Sequence, residues 1–323
     1  MRTVLRKFDG LNHPVRVDSP DEVLPLMDAI FASWPHEQTG EADTPFASIG
    51  PSADGRKWRL AAPRAEKPES FLQPVNAICD LICEMSWERL RSRPELLCLH
   101  AAAVVFGNRL VIFPNQRRAG KSLLTATLAR RGHAVFTDDF VPLAVDPDTR
   151  VISGVANGIA PRLRLPLPDT LAPDHAEWIE AHITARNKQY GYLSKIDLPQ
   201  SGSELPLGAI VMLDRDMERE APAVLTPVSA DEAFAVIMKQ NFGRQVHAGA
   251  ILAITEALTK TVPVLRMTYR DVEEAAALLD TTDLLHAMPT ARITEDGRQM
   301  PTRPAPLEKR KDRSREEAQI ACR

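Results

Sequence analysis

The clearest chemistry in this chain lies in the run Asn115-Gln116-Arg117-Arg118-Ala119-Gly120-Lys121-Ser122. The run ends in Gly-Lys-Ser and follows a β-rich apolar stretch, Arg109 to Phe113, with helical spacing beginning at Lys121. In such a strand–loop–helix, successive backbone N–H groups and the helix N-terminus face an anion. The lysine reaches phosphate oxygens, and the serine hydroxyl ligates Mg²⁺. The phosphate-loop pattern asks for glycine where Asn115 stands. Asparagine is the non-glycine residue that best tolerates positive φ, so the loop can still close.

A second group is Thr137-Asp138-Asp139, at the carboxyl end of the short strand that follows the loop helix. That edge of an open α/β sheet is where ligands bind. One acid there can hold Mg²⁺ while the other accepts a hydroxyl proton, the two tasks of phosphoryl transfer. Taken without the loop, the pair also suits an ordinary solvated turn, since aspartate is a good turn residue. If the strand continues through the two acids, their side chains point to opposite faces. His100 stands just before the run that feeds the hairpin; a lone histidine is more often packed than catalytic.

The elements that must hold these residues are legible from periodicity. Residues 1–70 read as a small α/β unit. A strand lies at Pro14 to Val17 and a helix runs from Pro20 to about Trp34, with Ser19 as its N-cap. A hairpin turns over Ser52 to Gly55, and a long amphipathic helix spans Pro74 to Arg91. Ala101 to Phe106 and Arg109 to Phe113 form a hairpin about Gly107-Asn108. A helix over 121–131 follows, then strands at 134–137, 207–213 and 264–269, with 161–168 extended. Helices fall at 230–241, 248–258 and 272–279. Strands alternating with helices mean an α/β core with parallel or mixed pairing.

Composition narrows the function. The 323 residues carry a net charge of −3 with 5% aromatics, which disfavours a general nucleic-acid or anionic-lipid surface and base-stacking platforms. No apolar run approaches membrane length and no signal sequence opens the chain, so a cytoplasmic protein without a membrane partner is expected. Cys79, Cys83, Cys98 and Cys322 make neither a disulfide framework nor a zinc site, and reduced thiols are expected. Residues 289–323 are charged and proline-rich and hold no aromatic residue, which reads as a disordered tail.

His100-Ala-Ala-Ala-Val, Gly120-Lys-Ser, Arg131-Gly-His133 and Thr137-Asp-Asp139 together resemble the kinase domain of HPr kinase/phosphorylase. Residues 1–285 are similar to the HprK-related kinases of proteobacteria. The resemblance implies a small N-terminal α/β region over 1–95 and a P-loop kinase core over 96–288. The fold implied for that core is the one shared with phosphoenolpyruvate carboxykinase. It also implies ATP and Mg²⁺ as cofactors and a protein or peptide substrate that offers a serine. Residues 115–122 would bind nucleotide and Ser122 the metal. Asp138 would be the base, Asp139 would be on the metal side, and His100 would be at the reacting centre. The chain departs from the family in Asn115 and Arg118, where glycine is common, and in a weak glycine-rich signature at Gly154 to Gly158. That signature is followed by Arg162 and Arg164, which suit either a phosphate clamp or an exposed edge strand. The departures keep two alternatives open, a nucleotide-binding pseudokinase with a degenerate loop and a small-molecule phosphotransferase. A homo-oligomer is also left open.

The loop reading has a direct test. Asn115→Gly keeps or strengthens ATP binding, because glycine enters positive φ freely, whereas Asn115→Val weakens it. Calorimetric titration of the three proteins decides, and equal affinities would contradict this construction of the loop.

Overall fold

Alternating apolar residues in the first third of the chain build strands, and the computed structural model shows how they pack. It describes residues 2–40, 44–64, 67–114, 119–242 and 246–282. Asn115, Gln116, Arg117 and Arg118 and the expected tail 289–323 lie outside the described residues. The first elements are β1 (Thr3–Phe8), β2 (Val15–Asp18), α1 (Pro20–Ile30), β3 (His36–Thr39) and β4 (Ala47–Pro51). β5 (Trp58–Ala61), β6 (Glu69–Phe71) and α2 (Pro74–Ser92) follow. The six strands lie in the order β3-β1-β2-β4-β5-β6, antiparallel except where β2 meets β4. Val15, Val17, Ile49 and Leu60 share one core with the buried faces of α1 and α2.

Helix α1 ends at Ile30, four residues before the expected Trp34. Trp34 is buried instead, edge-on to Phe8 and Phe31, and its indole N–H donates to Asp9 O at 2.8 Å. Burial of such a ring contributes on the order of 1.5–3 kcal/mol, which outweighs one more helical turn. Ser19 does not cap with its side chain. Its N–H is still bound to Arg2 O in the sheet, so the chain turns into α1 within that one residue, at φ 55°.

The remaining chain gives β7 (Leu97–Leu99), β8 (Ala102–Phe106), β9 (Arg109–Phe113), α3 (Lys121–Arg130) and β10 (Val135–Thr137). Next come β11 (Val141–Val145), β12 (Ile152–Val155), β13 (Arg162–Arg164), α4 (Pro173–His182), β14 (Ile183–Arg186) and β15 (Tyr190–Leu193). The chain continues with β16 (Glu204–Arg215), β17 (Val224–Pro227), α5 (Ala230–Gln240), α6 (Ala248–Thr261), β18 (Val264–Tyr269) and α7 (Val272–Asp280). Nine strands form one mixed sheet, with the path β10-β8-β9-β16-β12-β11-β7, β18 beside β16 and β17 beside β18. Only β9 with β16 and β16 with β18 are parallel. The short strands β13-β15-β14 form a third sheet.

Both faces of the large sheet are covered, which explains why its strands read as unbroken apolar runs. Ala103, Leu110 and Ile112 enter one core, while Ala102, Val104 and Val111 enter another. In β16 the faces switch: Leu207, Ile210 and Met212 share the first core, and Ala209, Val211 and Leu213 the second. The switch falls where the pairing with β9 is irregular, between Leu207 and Ala209, as a bulge requires.

The N-terminal region meets the third sheet and the segment after β12 along a seam. Ile159, Ala160, Ala185 and Tyr192 pack into the core built by residues 8–85. Ala160 N–H donates to Ile30 O at 2.7 Å, Ser33 N–H to Gly158 O at 3.1 Å, and Ser201 N–H to Ser33 O at 2.7 Å. Cys79 and Cys98 are free and buried as expected, whereas Cys83 is disulfide-bonded, which corrects the expectation of reduced thiols there. No helix among the described residues is long and apolar enough to cross a membrane.

The seam depends on Gly158. Its φ is +71°, and a Cβ would lie 2.6 Å from Ser33 O. Gly158→Ala therefore lowers stability by on the order of 2 kcal/mol or more in urea denaturation. An unchanged midpoint would contradict the seam.

Candidate functional site

The chain leaves β9, and α3 begins at Lys121 with Gly120 as N-cap at φ 90°. A side chain at 120 would be strained there and would meet Tyr269 Oη at 2.7 Å. That hydroxyl, at the end of β18, donates to Ala119 O at 3.2 Å and pins the entry to the helix. Burial pushes the Tyr269 pKa up to about 12, with Arg215 opposing, so the phenol remains a donor at neutral pH. Lys121 and Ser122 thus sit on the first turn of a ten-residue helix, where N–H groups and the helix dipole favour an anion.

Strand β10 brings the two acids to the same place. Its pairing with β8 is irregular between Val135 and Thr137, and the strand stops at Thr137, so it does not continue through the acids. A bend follows, held by Asn157. Its Nδ2 donates to Thr137 Oγ1 at 2.8 Å, and its Oδ1 accepts from Ile159 N–H at 3.0 Å. Thr137 Oγ1 in turn donates to Phe140 O at 3.0 Å. The two carboxylates part company through this bend rather than through a strand pleat.

Asp138 turns inward. The Ser122 side chain, on the first turn of α3, lies close enough to favour the charged form of Asp138. Thr125 Oγ1 lies 3.1 Å from Asp138 Oδ1 and 2.7 Å from Lys121 O, so its single proton serves one of them at a time. Asp138 Oδ2 accepts from Arg162 N–H at 3.3 Å. Burial, and then the charge of Asp139, raise the Asp138 pKa to about 6 against the pull of Ser122, Lys121 and Thr125. Asp139 faces the mouth of the site with 35% of its side chain exposed. Its Oδ1 is 3.6 Å from His100 Nε2, and its Oδ2 is 3.8 Å from Arg162 Nη2. His100 is placed by its own N–H, which donates to Gln240 O at 2.8 Å.

Of the residues singled out in the sequence, Gly120, Lys121, Ser122, Asp138, Asp139 and His100 converge here, with Ala119 at the loop's end. Arg162 enters the cleft, while Arg164 on the same strand is exposed. Arg131-Gly132-His133 lies at the far end of α3 and does not join the site. His133 Nε2 is 2.6 Å from Asp280 Oδ1, and Arg131 Nε donates to Asp280 Oδ2 at 2.5 Å, fastening α3 to α7. Burial would raise the Asp280 pKa, but these two partners outweigh it and hold it below the usual value. Asn157 is the residue that sequence reasoning missed; it stood in the weak glycine-rich stretch, where no spacing marks an amide that ties two turns.

In front of the acids is a narrow cleft lined by Asp138, Asp139, Phe140 and Arg162, with Cys79 and Ile82 contributed by α2. It encloses about 380 Å³ of empty space, open solvent included. Among the described residues no three His, Cys, Asp or Glu side chains cluster to hold a metal by themselves.

No family model and no curated protein matches this chain. Among solved structures it is similar to the Hpr(Ser) kinase/phosphatase from Coxiella burnetii. The identity is 13%, the match covers 57% of this chain and 91% of that one, and the TM-score is 0.26. So loose a likeness carries no argument, and the functional reading rests on the residues of the cleft.

The inward acid makes a measurable prediction. Because its folded pKa lies above the ordinary value of 3.8, ionising Asp138 costs stability as pH rises from about 4 through 6, and the full cost is present above that window. In nucleotide- and Mg²⁺-free protein, Asp138→Asn removes this cost. Relative to the unmodified protein it gains on the order of 1–3 kcal/mol between pH 4 and pH 7. Urea denaturation across that range checks it; a difference that does not change with pH would contradict the burial argument.

Proposed function

We propose that the protein is an ATP- and Mg²⁺-dependent kinase that phosphorylates a serine hydroxyl of a protein or peptide. The observation that carries this reading is the placement of the buried Asp138 against the first turns of α3, bonded to Thr125 and within the influence of Ser122 and Lys121. A serine hydroxyl and a carboxylate are hard oxygen donors suited to Mg²⁺, which keeps several waters and phosphate oxygens as its other ligands. When bound, the metal neutralises charge developing on the transferred phosphate. Lys121 and the first N–H groups of α3 hold the phosphates.

In this reading the two acids divide the work in the order opposite to that expected from the family resemblance. Asp138 is buried beside Ser122, and its oxygens are engaged by Thr125 and the Arg162 backbone, so it takes the metal side with Ser122. Asp139 stands at the mouth and takes the acceptor's proton, with His100 beside it to orient the carboxylate. The partly exposed carboxylate above a narrow cleft suits a serine offered from the surface of another protein. A small alcohol is the competing acceptor, and a nucleotide-binding protein without turnover is the competing role.

Thermal unfolding gives the first test. Mg²⁺-ATP at about 100 times its dissociation constant stabilises the protein by on the order of 2.7 kcal/mol, and Lys121→Ala abolishes the shift. Asp139→Asn lowers turnover by roughly 10²–10⁴-fold with ATP affinity unchanged, whereas Asp138→Asn also weakens Mg²⁺-dependent binding. Phosphoproteomes of cells with and without the protein supply the acceptor. Nucleotide binding with no change in protein or small-molecule phosphorylation would replace the kinase reading with the regulatory one.

A further inference from the structure

Arg162 touches both acids: its backbone N–H reaches Asp138 Oδ2 at 3.3 Å and its guanidinium lies 3.8 Å from Asp139 Oδ2. The side chain is not a surface arginine. It is 16% exposed and stacked at 4.6 Å over the Tyr190 ring, and its Nη1 donates to Cys79 Sγ at 2.9 Å. Cys79 Sγ is itself 2.8 Å from Tyr192 Oη, and both Cys79 and Tyr192 are buried. Cys79 belongs to α2, whereas Arg162, Tyr190 and Tyr192 belong to β13 and β15. The chain therefore spends a helix of its N-terminal region, a stacked ring and a buried thiol on the orientation of one guanidinium.

We propose that Arg162 is a positioning residue that holds Asp138 and Asp139 in their separate orientations, and that Cys79 on α2 holds Arg162. This rests on the kinase reading and adds to it a role for the N-terminal region: α2 reaches the acid pair through Cys79 and Arg162. A planar guanidinium suits the task better than an ammonium. It stacks on Tyr190 with its face while its edge spans the thiol and the carboxylate. Lysine at 162 keeps the positive charge and the backbone N–H but loses the stack and the fork. Displacing a reacting carboxylate by about 1 Å is enough to cost on the order of 10²-fold in rate.

The test uses the full-length protein and measures phosphoryl transfer from Mg²⁺-ATP to the acceptor that the phosphoproteome identifies. Arg162→Lys lowers kcat by roughly 10–100-fold while KM for ATP and the ATP-induced melting shift stay as in the unmodified protein. Arg162→Ala loses more, and free guanidinium ion restores its turnover in proportion to concentration, which a merely structural defect would not show. Cys79→Ser, which keeps an acceptor, retains more activity than Cys79→Val. Arg164→Ala is indifferent. If Arg162→Lys keeps kcat within twofold, or if it loses ATP binding instead, the positioning role is overturned while the kinase reading stands. An unmodified protein that neither binds nor turns over Mg²⁺-ATP overturns both.

Discussion

Two carboxylates on adjacent residues repel one another, and burying one of them makes the repulsion worse. The site of this protein is organised around that problem. Asp138 is drawn into the interior, where its raised pKa records the cost, and Ser122, Thr125 and Lys121 offset part of it. Asp139 is left at the mouth with a histidine and an arginine within 4 Å. A fold that carries such a pair is less stable for it, and the compensation comes from elements far apart in sequence. The outcome is one acid beside the N-terminus of α3 and one facing the cleft, a division that two equivalent carboxylates on a flat strand would not provide.

The large sheet supplies the rigidity that this division needs. β18 pins Ala119, at the entry to α3, with Tyr269, and β10 delivers the acids after an irregular pairing with β8. Asn157 then fixes the bend by bonding across to Thr137, from a segment that also runs along the seam with the N-terminal sheet. The seam matters to function because α2 forms one wall of the cleft through Cys79 and Ile82. The N-terminal region and the rest of the chain thus share a wall of the candidate site as well as a hydrophobic core.

Much of this was legible in the sequence, and the parts that were not have physical reasons. The Gly107 hairpin, α2, α3, α5, α6 and β18 were marked by periodicity and punctuation within their own segments. The acid pair and Gly120-Lys121-Ser122 were recognisable because phosphate chemistry requires those types at a strand end and a helix start. The short strands β7, β11, β12, β14 and β15 were not read, since three to five residues hold too little pattern to distinguish strand from loop, and helix α4 buries only His175 and Ile179, too few positions to mark a stripe. The end of α1 was misjudged because Trp34 gains more from its aromatic neighbours than from the helix. Asn157 and the Cys79–Arg162 contact were invisible because they join segments 20 and 83 residues apart, a relation that no local spacing encodes.

The central claim is the division of labour between the two acids, and a crystal structure with Mg²⁺ and a non-hydrolysable ATP analogue tests it most directly. The account predicts β- and γ-phosphates at the N-terminus of α3 and Mg²⁺ within about 2.1 Å of Ser122 Oγ. Asp138 lies on the metal's side, and Asp139 remains open to the cleft beside His100 and Arg162. Metal bound by Asp139 with Asp138 turned to the cleft, or nucleotide seated away from α3, would contradict it.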